Sequence, residues 1–127
     1  YFRSSKALEA AQPDSQFVAQ DFVVPRSITA PSFGLQYTGY IQIPETGIYT
    51  FYLLCDDGGV LTIDDKEVVN NDGLHAPIEK TGQIALKKGL HPLRLGFIEG
   101  GGGFTLDVRY SKGNGKPMSI PAEWLKN

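Results

Sequence analysis

Apolar and polar positions alternate with a period of two along most of this chain. In Phe33 to Ile43, the residues Leu35, Tyr37, Gly39, Ile41 and Ile43 share one face, and Thr38, Tyr40 and Gln42 share the other. Successive side chains of a strand point to opposite sides of its sheet, so this is a strand with one face in a core. Pro44-Glu45-Thr46-Gly47 then reads as a turn, because proline presets the first corner and glycine accepts positive φ. Ile48 to Cys55 is a second strand, with Phe51, Leu53 and Cys55 inward and Thr50 and Tyr52 outward. So short a connection predicts an antiparallel hairpin between the two.

The same signals recur downstream. Val60 to Ile63 and Glu67 to Asn70 are predicted strands about a tight turn at Asp64-Asp65, and a polar loop follows as far as Pro77. Ile78 to Leu86 and Leu90 to Ile98 are two more, joined at Lys87-Lys88-Gly89. After Gly100 to Gly103, Phe104 to Tyr110 sets Phe104, Leu106, Val108 and Tyr110 against Thr105, Asp107 and Arg109. Ser111 to Pro117 reads as a flexible turn, and Ile120 to Leu125 closes the domain with a helical turn after Pro121. Upstream, Phe17 to Val24 is strand-like and ends at Pro25. Residues 1–16 read as an opening segment or linker, in which Ser5 to Ala11 has the composition for a short helix. No segment sustains a period of 3.6. Short strands between frequent turn signals predict an all-β fold, an antiparallel two-sheet sandwich or barrel, formed as one domain by residues 17–127.

Composition narrows the function. With 41% hydrophobic and 20% charged residues, the 127-residue chain has the make-up of a folded domain. Its net charge of -2, with no cluster of lysine or arginine, argues against a nucleic-acid surface. No run reaches the ~18 apolar residues of a membrane span, so no membrane insertion is expected. Cys55 is the one cysteine; it cannot form an internal disulfide and says nothing of the compartment. A chain that opens on Tyr1 reads as a fragment of a longer protein.

Candidate chemistry lies in three loops. In Asp56-Asp57-Gly58-Gly59 two adjacent carboxylates repel unless something offsets their charge. A calcium ion, which takes six to eight oxygen ligands, is one solution; a polar turn with aspartates bonded to nearby amides is the other. A glycosidase also needs paired acids, but those act across a sugar ring, and sequence neighbours rarely face each other that way. Glu99 precedes four glycines, which suit either a hairpin with unusual angles or bare backbone beside a ligand, with Gly101 and the following Phe104 as candidate contacts. These glycines lack the Lys-Ser or Lys-Thr and the helix of a phosphate loop. Asn70-Asn71-Asp72-Gly73-Leu74-His75 is the third: it reads either as an ordinary Asp-Gly turn with His75 a solvated loop residue, or as a wall whose Asn71, Asp72 and His75 meet sugar hydroxyls. His75 and His91 are too far apart, and too far from Cys55, to signal zinc. No Gly-x-Ser-x-Gly elbow exists, and acids beside Cys55 raise its pKa, so nucleophilic catalysis is not expected. Most aromatics fall at alternating strand positions and default to core packing, with Trp124 sealing the base of the barrel or meeting a neighbouring domain.

Several segments in order resemble the protective-antigen-type β-barrel domain, a fourteen-kilodalton module. They are Phe33-Gly34-Leu35-Gln36-Tyr37-Thr38-Gly39-Tyr40-Ile41, Ile43-Pro44-Glu45-Thr46-Gly47-Ile48-Tyr49-Thr50-Phe51-Tyr52-Leu53 and Asp56-Asp57-Gly58. Leu61-Thr62-Ile63-Asp64, Val68-Val69-Asn70-Asn71-Asp72-Gly73 and Lys87-Lys88-Gly89-Leu90-His91-Pro92-Leu93-Arg94-Leu95 continue the match. The resemblance implies an antiparallel two-sheet barrel that works outside the cytoplasm: secreted, periplasmic or at the cell surface. It also implies an Asp-Asp pair joined by a cis peptide, matching Asp56 and Asp57, that holds calcium against sugar hydroxyls. Glu99 stands near the place of an asparagine that completes this site in the yeast lectins, which makes Asp56, Asp57 and Glu99 the candidate calcium ligands. By resemblance to the bacterial members, the chain is expected to be a non-catalytic, carbohydrate-binding or substrate-shaping module. Its partners would be glycan and the catalytic domain of a parent glycoside hydrolase of β-hexosaminidase or β-glucosidase type. The alternatives are a structural interdomain module without its own ligand, or a calcium-dependent lectin acting as an adhesin.

Overall fold

The computed structural model describes residues 33–99 and 105–127. The opening segment, the Ser5 to Ala11 helix and the Phe17 to Val24 strand lie outside the described residues, as do Gly101 and Phe104. Within them the strands are β1 (Phe33–Ile43), β2 (Gly47–Asp56), β3 (Gly58–Ile63), β4 (Lys66–Asn71), β5 (Ile78–Leu86), β6 (Gly89–Glu99), β7 (Thr105–Lys112), β8 (Met118–Ser119) and β9 (Leu125–Lys126). A single 3-10 turn at Ala122–Trp124 follows Pro121, as expected. The strands form a five-stranded sheet ordered β4-β3-β6-β1-β9 and a four-stranded sheet ordered β5-β2-β7-β8, and their pairings are antiparallel. This is the expected two-sheet all-β architecture. Among the described residues no helix is long and apolar enough to cross a membrane.

The hairpin expected between β1 and β2 does not form. β1 pairs with β6 and β9, whereas β2 pairs with β5 and β7 in the other sheet. The turn after Ile43 is therefore an arch from one sheet to the other. A period of two tells which face of a strand is buried but not which strand lies beside it. In a sandwich, both strands direct that face at one shared core. The arch is held by its own polar groups: Thr46 Oγ1 accepts the Lys88 amide at 2.9 Å, and Lys112 Nζ donates to Glu45 at 2.7 Å. The β5–β6 connection also crosses between sheets, so the two arches bond to each other at this pole. β3 and β4 form a true hairpin, where Asp64 and Asp65 take positive φ of 55° and 60°. That pair of angles is what a two-residue hairpin turn requires.

The core sits between the sheets. Phe51, Leu53 and Cys55 from β2 are in one cluster with Ile41 and Ile43 of β1, Leu61 and Ile63 of β3, and Leu95 and Phe97 of β6. Trp124 packs against this cluster from one end, its ring 4.6 Å from that of Tyr110. At one side the sheets close onto each other. A Cβ on Gly82 of β5 would lie 1.7 Å from the Val68 carbonyl oxygen of β4, so only glycine allows these two edge strands to meet.

Phe51 is 0% exposed at the centre of the core. Phe51→Ala is expected to cost about 3–5 kcal/mol, the usual loss for a buried phenylalanine. The urea midpoint measures it, and a loss below ~1 kcal/mol would place this face outside the core. Gly82→Ala is expected to destabilise as well, because the contact it forces is with backbone rather than a movable side chain. An unchanged midpoint would show that the β4 and β5 edges do not touch.

Candidate functional site

The β2–β3 junction is tighter than the loop expected from Asp56-Asp57-Gly58-Gly59. β2 runs through Asp56, and β3 resumes at Gly58, leaving only Asp57 between them. The glycines are strand residues: Gly58 and Gly59 pair with Ile98 and Phe97 of β6. The Asp57 amide donates to the Ile98 carbonyl at 3.1 Å. This bond brings Asp57 beside Glu99, the last residue of β6. The Asp56–Asp57 peptide is cis, as the resemblance implied.

As a result, carboxylate oxygens of Asp56, Asp57 and Glu99 lie within 4.8 Å of one another. Asp56 and Asp57 are half-buried, and Glu99 is 1% exposed. Burial and the adjacent Asp57 carboxyl hold the Asp56 carboxyl above the usual carboxylate range, with the nearby His75 pulling the other way. Charges this close repel each other strongly in a partly desolvated setting.

The β4–β5 loop forms the neighbouring wall. A Cβ on Gly58 would lie 2.3 Å from the Gly73 carbonyl oxygen, so the two turns are in direct backbone contact. Asn71 is 0% exposed, and its amide donates to Leu53 O at 3.0 Å and Ile78 O at 2.7 Å. Its side chain thus ties β4 to β2 and to the start of β5. It supports the wall from within, and does not reach out to a sugar. Its Oδ1 is buried without a hydrogen-bond partner among the described residues. His75 Nε2 lies 2.8 Å from Asn71 O, and Nδ1 lies 2.7 Å from Ala76 O, so the ring braces the loop on two carbonyls. Asp72 sits half-buried on the same turn, its amide donating to Asn70 Oδ1 at 3.1 Å. Cys55 lies underneath, its thiol donating to Asn71 O at 3.6 Å. Burial first, and the charges of Asp72, Asp56 and Asp57 after it, push its pKa up to about 12. The sequence reading identified the acids but missed burial as the larger cause.

Thus the acids at the end of β2 and the β4–β5 loop meet at one rim, with Glu99 joining them from β6. Gly101 and Phe104 lie outside the described residues. The brace made by Asn71 was not legible in the sequence, because an asparagine before Asp-Gly looks like an ordinary turn former.

The PA14 domain profile matches residues 1–124. No functionally curated protein matches the chain in sequence. Among solved structures, the "PA14 sugar-binding domain from RTX adhesin" has a TM-score of 0.70 at 19% identity, covering 77% of this chain and 56% of its own. An "anti-sigma factor domain-containing protein" superimposes with a TM-score of 0.73 at 21% identity, over 81% of this chain and 36% of its own. A β-glucosidase from Kluyveromyces marxianus superimposes with a TM-score of 0.51 at 26% identity, over 61% of this chain and 11% of its own. The chain therefore spans about half of the adhesin structure, and much less of the other two.

Without bound metal, burial and the Asp57 carboxyl raise the Asp56 pKa in the folded chain. Its folded-state value exceeds that of the unfolded chain, so its contribution to stability falls as pH rises through the interval between the two. Asp57→Asn removes the neighbouring charge. The variant is expected to gain stability relative to wild type as pH rises from about 3 to about 7, the range in which carboxyls ionise. Urea midpoints in EDTA across that range measure the difference, and a flat difference would show that the two carboxyls do not interact.

Proposed function

The chain belongs to the PA14 domain family, and from that membership and its acidic rim we propose that it is a non-catalytic carbohydrate-binding module. The single observation that carries this is the meeting of Asp56, Asp57 and Glu99 within 4.8 Å. The donor set suits calcium. Its ligands are hard oxygens at 2.3–2.6 Å, so oxygens around one ion stand up to ~5 Å apart. Asp56, Asp57 and Glu99 would hold the ion, which when bound would offer its open positions to sugar hydroxyls. The chain's own part is to fix the acids: the Asp57 amide is anchored on Ile98, and Asn71 and His75 hold the adjoining wall.

The arrangement favours binding over catalysis. Glycosidase acids flank a bond from two sides with room for a sugar between them. These carboxylates converge on one spot. The adhesin neighbour, a sugar-binding domain, supports the ligand class, and the β-glucosidase neighbour supports attachment to a glycoside hydrolase. In this reading the module works outside the cytoplasm, beside the catalytic domain of a parent hydrolase of β-glucosidase or β-hexosaminidase type, where it captures or shapes glycan substrate.

Calcium at ~100 times its Kd is expected to stabilise the chain by about 2.7 kcal/mol. This appears as a rise in Tm of several degrees, removed by EDTA and absent in Asp57→Ala. Retention on a glycan affinity gel is expected to be stronger in calcium than in EDTA, with that calcium-dependent part lost in the same substitution. Equal Tm in calcium and EDTA would remove the ion. Glycan retention indifferent to EDTA would remove its role in binding, and no retention at all would leave a structural interdomain module.

A further inference from the structure

We infer that a second, metal-independent saccharide site lies on the outer face of the five-stranded sheet, away from the acidic rim. A groove of ≈ 350 Å³ runs across β3, β6 and β1 there. That volume falls in the range of small-ligand sites. Its floor is a row of cross-strand partners, Thr62, Arg94 and Thr38. The next row holds Pro92 opposite Tyr40. Asp65 stands at one side. Thr38 and Tyr40 lie five and seven residues along β1 from Phe33, the partner of Glu99. At ~3.3 Å per residue the groove is roughly 17–23 Å from the rim.

The chemistry fits a neutral sugar. Tyr40 is 45% exposed, and it is the one aromatic among the exposed large hydrophobic side chains of the described residues. A half-exposed ring, with a proline beside it, offers an apolar face to the C–H face of a pyranose. The hydroxyls of Thr38 and Thr62 both donate and accept, the Asp65 carboxylate accepts, and the Arg94 guanidinium has five N–H donors to share among several partners. Polar groups spaced around one aromatic plate match alternating hydroxyls around a ring. An apolar peptide would instead meet a polar floor.

The groove is also held open by its surroundings. The turn bearing Asp65 is pinned, because the Asp64 amide donates to Pro92 O at 3.0 Å and His91 Nδ1 lies 2.9 Å from both Asp64 carboxylate oxygens. His91 Nε2 in turn lies 2.7 Å from Lys87 O, which anchors the ring on the β5–β6 arch. On the other side, a Cβ on Gly39 would lie 2.4 Å from Lys126 O, so glycine is needed for β9 to close that wall at Asn127. Fixed walls lower the ordering cost of binding a small ligand.

The test is an amide-shift titration of the ¹⁵N-labelled full chain in EDTA with cellobiose, maltose and N,N′-diacetylchitobiose in turn. Saturable shifts at Thr38, Tyr40, Thr62 and Arg94 are expected with at least one sugar, with equal affinity in Asp57→Ala and at least tenfold weaker binding in Tyr40→Ala. Tyr40 is exposed, so that variant should keep the wild-type spectrum elsewhere, and Thr38→Val provides a second variant with the same expected direction. No saturable shift at these amides with any of the three sugars, or undiminished binding in both variants, would overturn the inference. In a parallel titration with calcium in place of EDTA, shifts confined to the acidic rim would leave the proposed function standing and remove the groove. Shifts at the groove in EDTA from a protein whose Tm ignores calcium would keep the groove and remove the ion from the rim.

Discussion

Inner-face residues of β2 and β6 fill one apolar cluster, and keeping them from water sets the register of both sheets. Phe51, Leu53 and Cys55 lie inward on β2, as do Leu93, Leu95 and Phe97 on β6. A slip of one residue on either strand would turn its whole apolar set to solvent. Each fully buried Leu or Phe is worth about 1.5–3 kcal/mol, so a slip would cost an amount comparable to the domain's whole net stability. Where the strands end is therefore fixed by where their cores are. β2 ends in Asp56 and β6 in Glu99, and this is how acids from opposite sheets come to share one rim.

That placement runs against local electrostatics. The carboxylates are held together by backbone and core contacts, chiefly the Asp57 amide on Ile98 and the close passage of Gly58 against Gly73. Burial and its neighbour hold Asp56 above the usual carboxylate range. These like charges sit side by side on a frame braced by a buried asparagine and a two-armed histidine, and the proposed cation site rests on that frame. The Asn71 amide and the His75 ring spend their hydrogen bonds on backbone carbonyls, so they act on any ligand through the shape of the wall.

The two ends of the sandwich have different roles. At one pole, arches cross between the sheets and are tied by the Thr46, Glu45 and Lys112 side chains and the Lys88 amide, which hold the frame. At the other pole the β2–β3 junction and the β4–β5 loop form the acidic rim and its adjoining wall. The His91–Asp64 pair lies on the frame side and fixes the turn that borders the outer groove. Two histidines that looked alike in sequence, each without a metal partner nearby, thus brace different surfaces.

The sequence alone determined the strands, their inward faces and the class of fold, because burial of every second residue leaves a direct imprint on residue order. It also marked Asp56 and Asp57, since adjacent acids at a strand end are conspicuous, and Glu99 by its place before four glycines and by the family resemblance. It could not say that β1 and β2 part into different sheets, because alternation records a face and not a neighbour. Nor could it show that Asn71 would be buried and spent on Leu53 and Ile78, or that Thr62, Arg94 and Thr38 would line up in one row. Those facts join residues about 7 to 56 positions apart, at distances that pairing sets and composition does not carry. Only the packing of one sheet on the other decided them.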